Sequence, residues 1–127
     1  MIYGIGTDIV QVSRMSQKLK RSGDNFAHSI LSDKEWDDYL ACIDEQKAIF
    51  LSKRFAAKEA FAKAVRRGFR QPVFLHNISI FHDKYNAPYF IVNDELQEWL
   101  YEQGISNVHL SISDEKKYVV AFVVAEE

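Results

Sequence analysis

The amino-acid order predicts an α+β fold built on a mostly antiparallel sheet with a helical block. Three observations lead to it. The chain opens and closes on segments rich in β-branched residues. A long stretch with helical spacing follows the first of them. Alternation of apolar and polar residues then returns in two pairs of short segments. The resulting order, β-ααα-ββ-α-ββ, lets short turns join neighbouring strands, which favours antiparallel pairing.

Met1 to Val10 reads as the first strand, with Asp8 near its end after Gly4 and Gly6. Gln11 to Arg21 reads as a helix closed by Gly23. Ser32-Asp33-Lys34-Glu35 has the form of a capping box and starts a helix carrying Trp36, Tyr39 and Leu40. Ala48 to Arg67 is the clearest helix: it is rich in Ala, Lys, Arg and Phe and holds no Gly or Pro. Phe50, Ala57, Phe61 and Ala64 share one stripe, and Glu59, Lys63 and Arg66 share the opposite one. Phe55 and Ala62 border that second stripe, so the helix is expected to pack on two sides.

Asn77 to Phe81 and Pro88 to Val92 read as a hairpin joined through Asp83-Lys84-Tyr85-Asn86. Asp94 to Gln103 is a helix capped by Gly104. Val108, Leu110 and Ile112 alternate with polar residues, as in a half-buried strand. Asp114 to Lys117 makes a turn. Tyr118 to Ala125 is a nearly continuous apolar strand, compatible with burial on both faces. Trp36 and Trp99 fall at helix positions expected to face the core.

The chain of 127 residues suits a single domain over residues 1–127, and 47% hydrophobic residues suffice for a core. A formal net charge of −2 argues against nucleic-acid binding. Cys42 stands alone, so neither an internal disulfide nor a CxxC metal site is possible. Tyr118 to Ala125, the longest apolar run, is too short to span a bilayer, and the first residues lack the pattern of a signal peptide. The expectation is a soluble cytoplasmic protein without membrane or nucleic-acid partners.

Two carboxylates draw attention. Asp8 alone is ambiguous, because Asp after a strand is a routine turn or cap residue. Glu59 alone reads equally well as a solvated residue paired with Lys63 one turn on. Together with Lys63 and Arg54, however, they suit Mg²⁺ bound to a phosphate ester. Mg²⁺ takes one or two carboxylates and completes its octahedron with phosphate and water. Basic side chains then neutralise the remaining phosphate charge. Arg14, Lys18 and Arg21 form a basic stripe on an otherwise acidic protein, with Met15 and Phe26 as candidate apolar anchors.

At this point the sequence resembles a known family. Gly4-Ile5-Gly6-Thr7-Asp8-Ile9-Val10 is similar to the opening motif of bacterial holo-acyl-carrier-protein synthases, the short 4′-phosphopantetheinyl transferases. Arg54-Phe55-Ala56-Ala57-Lys58-Glu59-Ala60, followed by Lys63-Ala64, is similar to the second motif. His109 to Glu115, then Tyr118 and the terminal strand, match the C-terminal pattern. Arg21-Ser22-Gly23-Asp24 and Leu31 to Trp36 agree as well. The resemblance implies the 4′-phosphopantetheinyl transferase fold. It also implies transfer of the phosphopantetheine arm of coenzyme A to a serine of apo acyl carrier protein, in fatty acid biosynthesis, releasing adenosine 3′,5′-bisphosphate.

By the same resemblance, Asp8 and Glu59 hold Mg²⁺ against the pyrophosphate, and Lys63 contacts that phosphate region. Arg54 holds the nucleotide end at its 3′-phosphate. Arg14, Lys18 and Arg21 grip the acidic carrier protein, and the chain forms a homotrimer with each active site at a subunit boundary. One departure stands out. The family's second motif continues into a Gly-Thr-Gly turn whose small residues let backbone approach the coenzyme A phosphates. Here Arg66-Arg67-Gly68 occupies it. Either the arginines replace those backbone contacts with charged ones, so that Arg66 joins Gly68 in binding coenzyme A, or coenzyme A binds differently or more weakly here; a rival reading that this change alone favours is a non-catalytic carrier-protein or coenzyme A binding module of the same fold. The helical wheel places Arg66 on the Glu59–Lys63 face and favours the first.

Overall fold

Every strand predicted from the sequence forms, but in two sheets and around a longer helical block than expected. A computed structural model describes residues 1–127. Strand β1 spans Ile2–Gln11. Helices α1 (Val12–Ser22), α2 (Asp24–Ile30), α3 (Trp36–Ala41) and α4 (Asp44–Ala64) follow. The hairpin strands β2 (Ile78–His82) and β3 (Pro88–Val92) lead to α5 (Asp94–Glu102), and β4 (Asn107–Asp114) and β5 (Tyr118–Glu126) close the chain. One sheet has the order β1-β5-β4, the other is the β2-β3 hairpin, and all pairings are antiparallel. No helix is long and apolar enough to cross a membrane.

Helix α4 is the centre of the molecule, and the strands are shaped to fit it. Gly4 and Gly6 lie on the phase of β1 that faces α4. A Cβ on Gly4 would sit 2.1 Å from the Ala64 carbonyl oxygen, and one on Gly6 would sit 2.0 Å from that of Ala60. Only glycine permits that approach. Small residues on α4 answer it: Ala57, Ala60 and Ala64 are fully buried. Asp8 shares the phase of Gly4 and Gly6, so the pleat carries its side chain to α4. It is therefore a mid-strand residue rather than the strand-end residue predicted.

Four further expectations are corrected. Helix α2 was not foreseen, so the block before the hairpin holds four helices rather than three. Helix α4 begins at Asp44 and stops at Ala64, not Arg67. Strand β5 buries only one face. Val119, Ala121, Val123 and Ala125 are fully covered, while Val120 and Phe122 are exposed. The tryptophans border the core rather than fill it: Trp36 stacks on His28 at 3.6 Å between centroids, and Trp99 lies under Arg67. The capping box is present as predicted, with Ser32 and Glu35 satisfying each other's backbone.

The end of α4 explains the departure at Arg66. Arg67 N–H donates to Ala62 O at 3.3 Å and Arg66 N–H to Lys63 O at 3.1 Å. These two bonds form a Schellman motif, in which the residue just beyond the helix turns left-handed. That residue is Arg66, with φ +64°. Glycine is favoured there because it lacks a Cβ. Arg66 therefore lies off the helical wheel that placed it beside Glu59 and Lys63.

Candidate active site

Strand β1 and helices α1 and α4 bound an open groove of about 240 Å³. Its walls include Asp8 and Gln11 from β1, Arg14 and Lys18 from α1, and Phe55 and Glu59 from α4. The two carboxylates singled out from the sequence thus meet in one place. Both are half-buried. The Glu59 carboxyl is held above the ordinary carboxylate range, first by burial and then by the charge of Asp8, against a smaller opposing effect of Lys63.

Lys63 does not form the helical pair with Glu59 that its spacing suggests. Its ammonium donates to Thr7 O at 2.8 Å and meets Asp8 Oδ1 at 3.3 Å. The cluster of Asp8, Glu59 and Lys63 keeps a net charge of −1, which suits a cation. Nowhere in the chain do three acidic, histidine or cysteine side chains group around a point. A metal here would take two carboxylates from the protein and its remaining oxygen ligands from substrate and water, the usual Mg²⁺ arrangement.

Arg14 and Lys18 reach the groove, and Lys18 Nζ lies 5.9 Å from the Phe26 ring centroid. Arg21 is exposed in the last turn of α1, farther along the same face. Met15 is buried in the core and lines the inner side of the groove. Arg66 is exposed beyond α4, with its guanidinium carbon 5.7 Å from the Tyr3 ring centroid. Gly68 is exposed in the following turn with φ +67°.

Arg54 lies outside this groove. It is buried against Glu35 and lines a separate cleft with Asp38, Lys53 and His82. Two further residues matter that sequence reasoning did not single out, Glu35 and Lys58. Both are fully buried, and they pair at 2.6 Å. The available signal was a lysine in the apolar stripe running from Leu51 through Lys58 to Val65. A charge in such a stripe needs a buried partner.

The groove sets two half-buried carboxylates beside the basic side chains of α1, on a fold shared by a class of group-transfer enzymes. The family model described as the 4′-phosphopantetheinyl transferase superfamily matches residues 4–123. The chain belongs to that family. It is 52% identical to the holo-[acyl-carrier-protein] synthase of Nitrosomonas europaea, over all of both chains. The crystal structure of holo-[acyl-carrier-protein] synthase from Neisseria meningitidis is 50% identical and superposes with a TM-score of 0.95 over all of both chains. The Bacillus anthracis enzyme in complex with CoA (3′,5′-ADP) is 35% identical, with a TM-score of 0.83 over 100% of this chain and 98% of that one.

Proposed function

We infer that the chain is a holo-[acyl-carrier-protein] synthase. It transfers the 4′-phosphopantetheine group of coenzyme A to a serine of apo acyl carrier protein and releases adenosine 3′,5′-bisphosphate. The observation that carries this reading is the groove itself. Two half-buried carboxylates on its floor and the cations Arg14 and Lys18 on its rim join a metal-phosphate site to a surface for an acidic partner.

The serine oxygen attacks the phosphorus that bears the pantetheine arm, and its hydroxyl proton passes to solvent water. The bond from that phosphorus to the bridging pyrophosphate oxygen breaks, and its electron pair leaves with the nucleotide. Asp8 and Glu59 would hold Mg²⁺, which when bound would supply charge neutralisation at the pyrophosphate. Lys63, more than half exposed, extends its ammonium to the same phosphates. Arg54 receives the 3′-phosphate end, while Arg66 and the backbone at Gly68 border the coenzyme A path. Arg14, Lys18 and Arg21 steer the acidic carrier and set its serine in line.

The open face of the larger sheet supports a homotrimer. Ile5 and Ile9 on β1 stand beside Val124 and Val120 on β5, with Phe122 between those two. Ile5, Ile9, Val120 and Phe122 are all exposed in the single chain. An apolar patch of this kind marks an interface, which fits a homotrimer with each active site at a subunit boundary. The reaction assigns the chain to the cytoplasm and to fatty acid biosynthesis.

The test is the intact mass of an apo acyl carrier protein after incubation with the chain, coenzyme A and Mg²⁺. A gain of one phosphopantetheine, lost with a chelator, is expected. No gain, where another transferase modifies the same carrier, would favour the non-catalytic module and point to Arg66-Arg67 as the cause.

A further inference from the structure

The capping-box acid Glu35 is tied to far more than its own turn. Its Oε1 accepts from Ser32 N–H at 3.0 Å and from Lys58 Nζ at 2.6 Å. Its Oε2 accepts from Ile80 N–H at 3.0 Å and lies 3.2 Å from Arg54 Nε. Lys58 also donates to Ile30 O at 2.8 Å and to Leu75 O at 3.0 Å. The ammonium's three protons are therefore all used. One buried pair thus ties α4 to the end of α2, to the short helical turns Asp33–Glu35 and Leu75–Asn77, and to β2.

Arg54 is placed differently. Its Nε is buried without a well-directed hydrogen bond. Its guanidinium carbon lies 4.3 Å from the Phe50 ring centroid and faces a cleft of about 330 Å³. Lys58 already neutralises Glu35, so Arg54 leaves the buried cluster with a net charge of +1. Lys53 and His82 add basic groups at the rim of that cleft, and Asp38 is the acid lining it. Lys53 is itself 3.5 Å from Asp114. A buried ion pair is a weak source of stability, so neutralising Glu35 does not explain a second cation.

We propose that Glu35 is a positioning residue for the transferase site. Its carboxylate aims the Arg54 guanidinium into the cleft, and through Lys58 it fixes the rotation of α4 that presents Glu59 to the groove. Lys58 and Glu59 are consecutive on the helix. Holding the first by three partners in the core therefore sets the direction of the second. Glu35 touches neither substrate nor metal. The proposal rests on the reading of Arg54 as a contact of the coenzyme A nucleotide.

The experiment compares two variants of the full chain, Arg54→Ala and the double variant Glu35→Gln with Lys58→Met. The double variant removes one negative and one positive charge together, so it avoids stranding a buried like-charged pair. The probes are calorimetric binding of adenosine 3′,5′-bisphosphate and steady-state kinetics with coenzyme A and apo carrier. Arg54→Ala should weaken bisphosphate binding about tenfold, the scale of one charge-assisted hydrogen bond, and raise the coenzyme A KM in step. The double variant should match that loss and also lower kcat severalfold, while the KM for the carrier stays constant. A folded double variant with native bisphosphate affinity and native kcat would overturn the proposal, even if Arg54→Ala binds weakly. Normal binding by Arg54→Ala would remove the Arg54 reading and the proposal together.

Discussion

Helix α4 carries two clusters of acid and base on different sides, and they differ in how fully their atoms are paired. Around Glu35 both carboxylate oxygens have two donors or cations each, and no side chain in the pair with Lys58 is exposed. Around Glu59 one lysine serves two carboxylates and prefers Asp8. The sealed cluster has an excess positive charge and the open cluster an excess negative one. A saturated buried carboxylate organises structure; a half-buried one with too few donors waits for a cation. In the proposed reaction, coenzyme A with Mg²⁺ would offer both complements, an anion for one side of α4 and a cation for the other.

The largest expected effect breaks the open cluster. Glu59→Ala should lower transfer by roughly 10³-fold, the scale of losing one preorganised electrostatic contact in the transition state. The protein should still fold, because Glu59 is half-exposed; near-normal rates would remove it from the metal site. Thermal shift gives a second readout: Mg²⁺ should stabilise the native chain by selective binding to the folded state and leave Glu59→Ala unmoved. The pH dependence has a defined sign. Burial and Asp8 raise the Glu59 carboxyl in the folded chain. As pH falls, Glu59 therefore takes a proton above the ordinary carboxylate range and Mg²⁺ affinity drops there. The same shift means that metal-free Glu59 detracts from stability at neutral pH and ceases to do so on acidification. Metal-free Glu59→Gln should then melt slightly higher than the native chain at neutral pH.

The next effect sets the same substitution in both clusters. Lys58→Met removes three buried charge-assisted hydrogen bonds and leaves Arg54 as the one cation on Glu35; it should cost about 3–5 kcal/mol by denaturant unfolding. Lys63→Met, five residues on, removes an exposed pair and should cost under about 1 kcal/mol while impairing transfer. Equal costs would mean that the two clusters do not differ in the way their pairing indicates. A smaller effect lies on the rim. Arg14→Glu with Arg21→Glu should raise the carrier KM about tenfold at low salt, less at high salt, with the coenzyme A KM constant. Unchanged carrier kinetics would remove the docking role of α1.

Most of this fold was legible because its elements announce themselves by period and punctuation. The hairpin Ile78–Val92 and helix α5 carry turn and cap residues at their ends, and their boundaries fall within a residue or two of the reading. Helix α2 was missed because seven residues are too few to show a helical repeat. The end of α4 was overrun because Val65, Arg66 and Arg67 contain no helix breaker. The uniform apolarity of β5 concealed that its two faces differ, one meeting α4 and the other open. At the candidate site, residue types and the family resemblance singled out Asp8, Glu59 and Lys63, which the fold brings together. Glu35 stayed hidden because a capping box accounts for it locally, and nothing local reveals that Lys58 reaches it across 23 positions.

Arg66 sharpens the comparison at its margin, where α4 leaves the open cluster. Its left-handed conformation costs a residue with a Cβ about 1–2 kcal/mol relative to glycine. Arg66→Gly removes that strain but gives the unfolded chain more freedom, worth about 0.4–1 kcal/mol in the opposite direction. Net stability should thus rise by about 0–1.6 kcal/mol, measurable as an increase in melting temperature. If the arginine replaces the backbone approach that the family's glycine turn provides, the same variant should also raise the coenzyme A KM by about twofold to fivefold, the scale of one exposed ion pair. A rise in stability with an unaltered KM would mean that the guanidinium belongs to Tyr3 and not to coenzyme A. A fall in KM would mean that Arg66 obstructs the very approach that glycine permits, and that the chain tolerates the arginine at the expense of substrate affinity.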